Sequence, residues 1–408
     1  MIDARLETGN NGGIEQALIG LSAAYESSDY KDFEYGWLVS SANSDYLKRN
    51  ISSRMEIIEV PDPQSQRDQL RPYIDRIRSL QLGDMALSVA RKHGPLKYDL
   101  PSSPDEVLNW KPDLIHFPTQ YGFRTDRPNI YQPHDLQHLH FPQNFSRENL
   151  VIRNRGYAGM ISQASKVVVG NEWTVNDVIR NFPGKEKNVL NVPVFPQPLN
   201  ISPNERLKQK EKYGRYFFYP AGDWVHKNHK RLLQALRTVV DSDSEINLVL
   251  TGVGIARSTR IPAIIKDLGL EDNVFILGYV SEYELAQIYM QAECIVMPSL
   301  FESESLPIWE AFAFKVPVIS SRATAIPNQV GEAAILFDPE SVSEISSAMK
   351  MILQDRKLKN ALVTEGTKRL SNLTPSNTTR GYRFAYRQAL GFPIDEIDNE
   401  WVLNGFRF

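Results

Sequence analysis

The sequence predicts an α/β protein of two Rossmann-like domains, each a parallel sheet covered by helices, with the two sheets facing across a central cleft. Three observations lead there. Short apolar runs alternate with longer segments of helical period along the chain, the pattern of repeated strand–helix units. The stretch 193–203, "PVFPQPLNISP", interrupts this alternation with four prolines and no charge. Such a composition disfavours helix and central strand and reads as a linker. At 408 residues the chain is also longer than one hydrophobic core usually serves.

In the first domain, 1–195, strands are predicted near 35–40 (YGWLVS), 113–117 (DLIHF), 129–132 (NIYQ), 166–170 (KVVVG) and 188–192 (NVLNV). Segments of helical period lie between them, near 13–25, 66–92, 146–163 and 172–181. The opening "MIDARL" is barely a strand before a glycine loop, so the first strand is expected to be short or the start of the chain misplaced. The second domain, 196–375, restarts the alternation with strands near 216–220, 246–250, 274–278, 294–298, 317–320 and 333–337. Ser281 followed by Glu284 has the spacing of a capping box, which opens the helix "EYELAQIYMQA". A last helix near 376–390 leads into the tail "GFPIDEIDNEWVLNGFRF", and 376–408 is expected to return to the first domain.

Composition excludes several classes of function. Hydrophobic content of 42%, charged content of 23% and the lack of low-complexity tracts describe a globular chain rather than a disordered one. Residues 1–195 hold 22 basic against 24 acidic side chains and the remainder 24 against 25, so neither half has the basic excess of a nucleic-acid binder. The single cysteine, Cys294, lies in the apolar run "CIVMP" and excludes an internal disulfide framework, which fits a reducing compartment. No signal peptide or membrane span is read in the sequence.

In such a fold the chemistry belongs in the strand-to-helix loops. Glu302 follows the strand at 294–298 and Glu310 lies in a helix that Pro307 is expected to open at its first position. The N–H groups of Ser305 and Leu306 would then face outward at a helix N-terminus, a ready anion site. Two carboxylates beside an anion site suit a polyhydroxylated phosphate compound; the alternative is a solvated Glu302 and a Glu310 that complements the helix dipole. Lys227, between the strand at 216–220 and the next helix, is placed to act as a point charge on a diphosphate, or simply opens a basic helix. Gly12 and Gly13 would let backbone approach a phosphate or a sugar.

Together these stretches resemble the retaining nucleotide-sugar glycosyltransferases of family 4, of GT-B fold. Glu302 and Glu310 match the family's acidic pair in spacing, with Leu306, Pro307, Ala311, Pro317, Val318 and Ile319 matching its flanks. Gly12 and Gly13 match the glycine loop, His134 and Asp135 the "HD" pair, and Lys227 the lysine of the second domain. The resemblance implies that the first domain faces the acceptor and the second the nucleotide-sugar donor. It implies that Glu310 holds the donor ribose and Glu302 the hydroxyls of the transferred sugar. His134 would lie near that sugar, and Gly222, Tyr279 and Val280 would complete the donor site, the last two lining the nucleobase.

The implied reaction moves a hexose-type sugar, with retention, from a nucleoside diphosphate to a hydroxyl of a glycan or lipid-linked acceptor. The leaving phosphate would take the acceptor's proton, domain closure would exclude water, and no metal or other cofactor is expected. A cytoplasmic protein follows, in peripheral contact with the inner membrane face where the acceptor is lipid-linked; the oligomeric state is left open. Two departures from the family pattern stand out. "SES" at 303–305 takes the place of motif glycines, and Asp223 follows Gly222 where an arginine is usual. A unit charge pair 4 Å apart is worth about 4 kcal/mol at an effective dielectric of 20, so Asp223 must point away or be offset by a cation such as Arg322 or Arg257. These departures keep open a non-catalytic partner subunit, and a second alternative is another GT-B chemistry, sugar-nucleotide epimerisation. His134, His138 and His140 lie within seven residues but lack a zinc spacing, and Met297, Trp309 and Phe312 read as core.

Overall fold

The computed structural model describes residues 1–6, 12–26, 32–41, 44–48, 51, 55–60, 99–194 and 212–399. The helix predicted at 66–92, the linker from 195 and the end of the tail lie outside them. The chain divides into two units, one formed by the described residues of Met1–Gly170, Thr174–Val194 and Thr378–Phe406, the other by those of Asn171–Trp173 and Phe195–Asn377.

The first unit holds a sheet of strands β1 (Ile2–Asp3), β2 (Gly36–Ser40), β3 (Glu56–Val60), β4 (Ile115–Phe117), β5 (Asn129–Tyr131), β6 (Lys166–Val169) and β7 (Val189–Asn191). All neighbours are parallel, in the order β3-β2-β1-β4-β5-β6-β7. The second unit holds β8 (Arg215–Pro220), β9 (Ile246–Thr251), β10 (Val274–Gly278), β11 (Cys294–Met297), β12 (Val318–Ser321) and β13 (Ala334–Phe337), again all parallel, in the order β10-β9-β8-β11-β12-β13. Both are the doubly wound order in which the chain steps outward one way, returns to the middle and steps outward the other way. The order reverses between β1 and β4 and again between β8 and β11. At such a point adjacent strands send their loops to opposite faces and leave a crevice at their carboxyl ends.

The first strand is short, as the opening residues suggest: β1 has two residues, both buried between β2 and β4. β3 goes unpredicted because it is an edge strand whose glutamates, Glu56 and Glu59, interrupt the apolar pattern. The capping box forms as its spacing predicts: Ser281 Oγ accepts from the Glu284 N–H while the Glu284 carboxylate accepts from the Ser281 N–H.

The helix Pro375–Ala389 belongs to the first unit from Thr378 on. It buries Tyr382, Ala385 and Tyr386 beside Ile2, Trp37, Val39, Ile130 and Val168 from the strands. Polar atoms on this apolar face are paired: Tyr382 Oη donates to Gln132 Oε1 at 2.8 Å, and Tyr386 Oη lies 2.9 Å from His116 Nδ1. Burial pushes the His116 pKa down to about 3, so its ring stays neutral.

In the second unit, Gly252 ends β9 with φ at 136°, and a β-carbon there would lie 2.6 Å from the Ala221 backbone carbon. Only glycine fits, because the backbone of the loop after β8 runs against it. Gly252→Ala should therefore lower stability by about 1–3 kcal/mol in urea unfolding. An unchanged midpoint would show that the loop after β8 can give way.

Candidate active site

The reversal between β8 and β11 brings together the loops 221–228 and 298–305, which three hydrogen bonds join directly and Tyr219 of β8 bridges. Tyr219 Oη donates to the Lys227 carbonyl at 2.7 Å and lies 3.3 Å from Ser299 Oγ. The Leu300 N–H donates to the His226 carbonyl at 2.8 Å. Asn228, buried and in the left-handed region at φ 58°, donates through Nδ2 to the carbonyls of Pro298 (2.9 Å) and Pro339 (2.7 Å). Its fork fixes the single 3₁₀ turn Val225–Lys227 just before it. Lys227 Nζ then donates to Glu302 Oε1 at 2.6 Å, the two side chains being 16% and 9% exposed. A charged pair this shielded is far stronger than a surface pair, and the ammonium keeps further donors for a ligand.

Glu302 is fixed through its backbone. Its N–H donates to Thr324 Oγ1 (3.0 Å), whose hydroxyl donates back to the Glu302 carbonyl (2.5 Å). The helix Leu306–Ala313 follows, with Pro307 at its second position rather than its first. The anion site expected of Ser305 is not free: its N–H donates to Gln329 Oε1 at 2.9 Å, and Gln329 Nε2 donates to its carbonyl at 2.7 Å. A buried amide has matched both backbone groups, so Ser305 braces the loop and Leu306 alone of the two keeps the phosphate expectation. Glu310 accepts from Tyr289 Oη at 2.5 Å, and burial raises its pKa. Glu304 accepts from the Trp309 indole N–H at 3.3 Å, and loss of solvent raises its pKa to about 7.

Asp223 does not need the cations the sequence suggested. It pairs with Arg260 at the start of the helix Arg260–Asp267, while Arg322 pairs with Glu344. Gly222, just before it, would carry a β-carbon 2.8 Å from the Val253 carbonyl, so the loop passes too close for any side chain. Tyr279 stands 85% exposed after β10, with Val280 beside it.

In the first unit, Gly12 and Gly13 start the helix Gly12–Glu26; the loop before them lies outside the described residues. His134 has a left-handed backbone (φ 61°) and Nε2 lies 2.7 Å from the Pro118 carbonyl. That contact requires the proton on Nε2 and leaves Nδ1 as an acceptor, and burial lowers the pKa so the ring is neutral. His138 packs edge-on against Tyr157 with ring centroids 4.7 Å apart, while His140 Nε2 lies 2.8 Å from the Asp177 carboxylate. The three histidines therefore make three separate contacts.

Several contributors were absent from the sequence reading. Asn228 and Gln329 act through amides whose partners lie far along the chain, and Arg260 is 37 residues from Asp223. Asn228 alone left a local trace, as a residue type that tolerates the left-handed conformation, placed between a turn and a helix.

Residues 203–369 match the family model described as "Glycosyl transferases group 1". The O-antigen chain mannosyltransferase B of Escherichia coli is 24% identical over 277 residues, 64% of this chain and 73% of that protein. The O-antigen chain mannosyltransferase RfbU of Salmonella typhimurium is 24% identical over 86% of this chain and 90% of its own length. Among solved structures, HepE of Anabaena, in complex with UDP and glucose, superposes with a TM-score of 0.66 at 18% identity, covering 94% of this chain and 98% of that one. The fold is that of GT-B glycosyltransferases, and the match to the glycosyltransferase model lies in the second unit.

Glu304 yields a prediction with a definite sign. Unfolded, it ionises near its ordinary 4.5; folded, near 7. The folded state thus holds the proton more tightly, and the stability this gives is present below about pH 4.5 and lost as pH rises through about 7. Glu304→Gln, neutral throughout, should melt higher than the parent at about pH 8 and close to it at about pH 5. A melting difference independent of pH would return Glu304 to an ordinary exposed carboxylate.

Proposed function

We propose that the protein transfers a hexose, mannose foremost, from a nucleoside-diphosphate sugar to a hydroxyl of a glycan or lipid-linked acceptor in cell-surface polysaccharide synthesis, with retention of configuration. The observation that carries this reading is the pair of Lys227 and Glu302, from two loops that meet where the strand order reverses. A cation for the departing diphosphate and a carboxylate for the sugar stand there side by side. The mannosyltransferase relatives support the sugar and acceptor class, and UDP with glucose bound to HepE supports a nucleotide-sugar donor. No helix among the described residues is long and apolar enough to cross a membrane. We place the work at the cytoplasmic face, where a peripheral enzyme meets a lipid-linked acceptor.

In the reaction, the bond between the anomeric carbon and the diphosphate oxygen breaks and the acceptor oxygen bonds to that carbon on the same face. The acceptor's proton goes to the departing diphosphate, so no protein base is required. Lys227 is the main electrostatic contributor: its ammonium exchanges part of its attraction to Glu302 for the charge growing on the leaving group. Glu302 orients the sugar hydroxyls and offsets positive charge at the anomeric centre. Glu310, set by Tyr289, accepts from the ribose in ground and transition states alike. This division makes Glu302→Gln lower kcat more than it raises KM, and Glu310→Gln mainly raise the donor KM.

The test uses purified protein with GDP-mannose, UDP-glucose and related donors, a polysaccharide or lipid-linked acceptor, and NMR of the product's anomeric configuration. Lys227→Met should lower kcat/KM by about a hundredfold or more while leaving the unfolding transition intact. Unchanged kinetics would remove Lys227 from the site, and an inverted product would overturn retention. Turnover should survive EDTA; loss of activity restored by one divalent ion would contradict the metal-independent chemistry proposed. Donor turnover without any acceptor, giving an epimerised nucleotide sugar, would favour the epimerase alternative.

A further inference from the structure

Asp223 places a carboxylate four residues before Lys227, on the loop where a diphosphate is proposed to bind. Left alone, it would repel that ligand. It is not alone, since the Arg260 guanidinium is ion-paired with it through Nη2. The Arg260 side chain remains 38% exposed and that of Asp223 only 18%, so the pair presents its cationic member to solvent. One nitrogen of the guanidinium meets Asp223, which leaves donors for a second oxyanion.

The position of Arg260 is itself unusual. It is the first residue of the helix Arg260–Asp267, whose N-cap Thr259 makes no side-chain capping bond, the Ile261 N–H donating instead to Ser258 Oγ at 3.1 Å. The helix dipole disfavours positive charge at that end. Asp223 offsets the penalty, and a bound anion would offset it further. Because Asp223 and Lys227 share the loop 221–228, the partner of Asp223 stands against the loop that carries Lys227. Burial first, and then the charge of Arg260, lower the pKa of the His229 ring on the following helix to about 4.

We propose that Arg260, held in place by Asp223, is the second cation of the diphosphate site and does from a neighbouring helix what an arginine at position 223 would do from the loop. The inference rests on the nucleotide-sugar reading above. Asp223 acts as a positioning residue: it selects the rotamer that keeps the guanidinium over the loop. It carries no contact to the ligand.

Isothermal titration of the full chain with UDP and GDP, and with UMP and GMP, tests this. Arg260→Ala should weaken the preferred nucleoside diphosphate on the order of tenfold and leave the matching monophosphate within about twofold. The double variant Asp223→Ala/Arg260→Ala separates contact from mere neutralisation. If Arg260 meets the diphosphate, the double variant stays weak; recovery of parental affinity would mean Arg260 only cancels Asp223 and would overturn the proposal. Arg260→Gln, which keeps a hydrogen bond to Asp223 without the charge, should lose affinity like the alanine variant and guards against misfolding of the latter. Lys227→Met keeps the two levels apart. If it abolishes diphosphate binding while Arg260→Ala and Arg260→Gln bind normally, only the Arg260 assignment falls. If the parent binds neither diphosphate, or Lys227→Met binds like the parent, the nucleotide-sugar reading falls and this inference with it.

Discussion

The ion pair between Lys227 and Glu302 is the constraint around which the second unit is arranged. Lys227 hangs on a short turn and Glu302 on a loop with no regular structure, so neither charge is placed by its own element. Both are placed by the reversal in strand order, which sets β8 and β11 side by side, and by the bonds of Tyr219, Asn228, Thr324 and Gln329 that stiffen the two loops. The same bonds explain the shielding of the pair, because the loops are tied to each other rather than to solvent. A shielded charge pair is costly to assemble unless the surrounding hydrogen bonds are in place, and here they are.

That arrangement also suits a change of partner. In a shielded site an ammonium is strongly attracted to any anion, and an incoming diphosphate competes for it with a carboxylate already in contact. The energy difference between the two pairings is smaller than either pairing alone. Under the proposed function, Lys227 would be preorganised without being locked, as stabilisation of a departing group requires. Asp223 and Arg260 repeat the design nearby, a carboxylate again holding a cation in position.

Much of this was legible in the sequence, and the parts that were not share a cause. Strands such as β10 at 274–278 and the helix Glu172–Asn181 coincide with their predicted limits, because their apolar period is long and their ends carry turn residues. β3 was missed because its edge position tolerates charge. Lys227, Glu302 and Glu310 could be singled out as candidates because they fall in or just after strand-to-helix loops, and the resemblance supplied their expected roles. Their supports could not, because Asn228, Gln329 and Arg260 act across tens of residues through contacts that leave no local pattern. The same gap explains why Ser305 was expected to offer its N–H to a phosphate and why Asp223 looked like a defect. Each was read without the partner that the fold supplies.

The most direct test is a crystal structure of the protein with UDP or GDP, whichever binds more tightly. The account predicts a β-phosphate oxygen within hydrogen-bond distance of Lys227 Nζ, with the contact to Glu302, 2.6 Å in the free chain, lengthened or shared. A nucleotide bound away from the loops 221–228 and 298–305, with that contact unchanged, would contradict it.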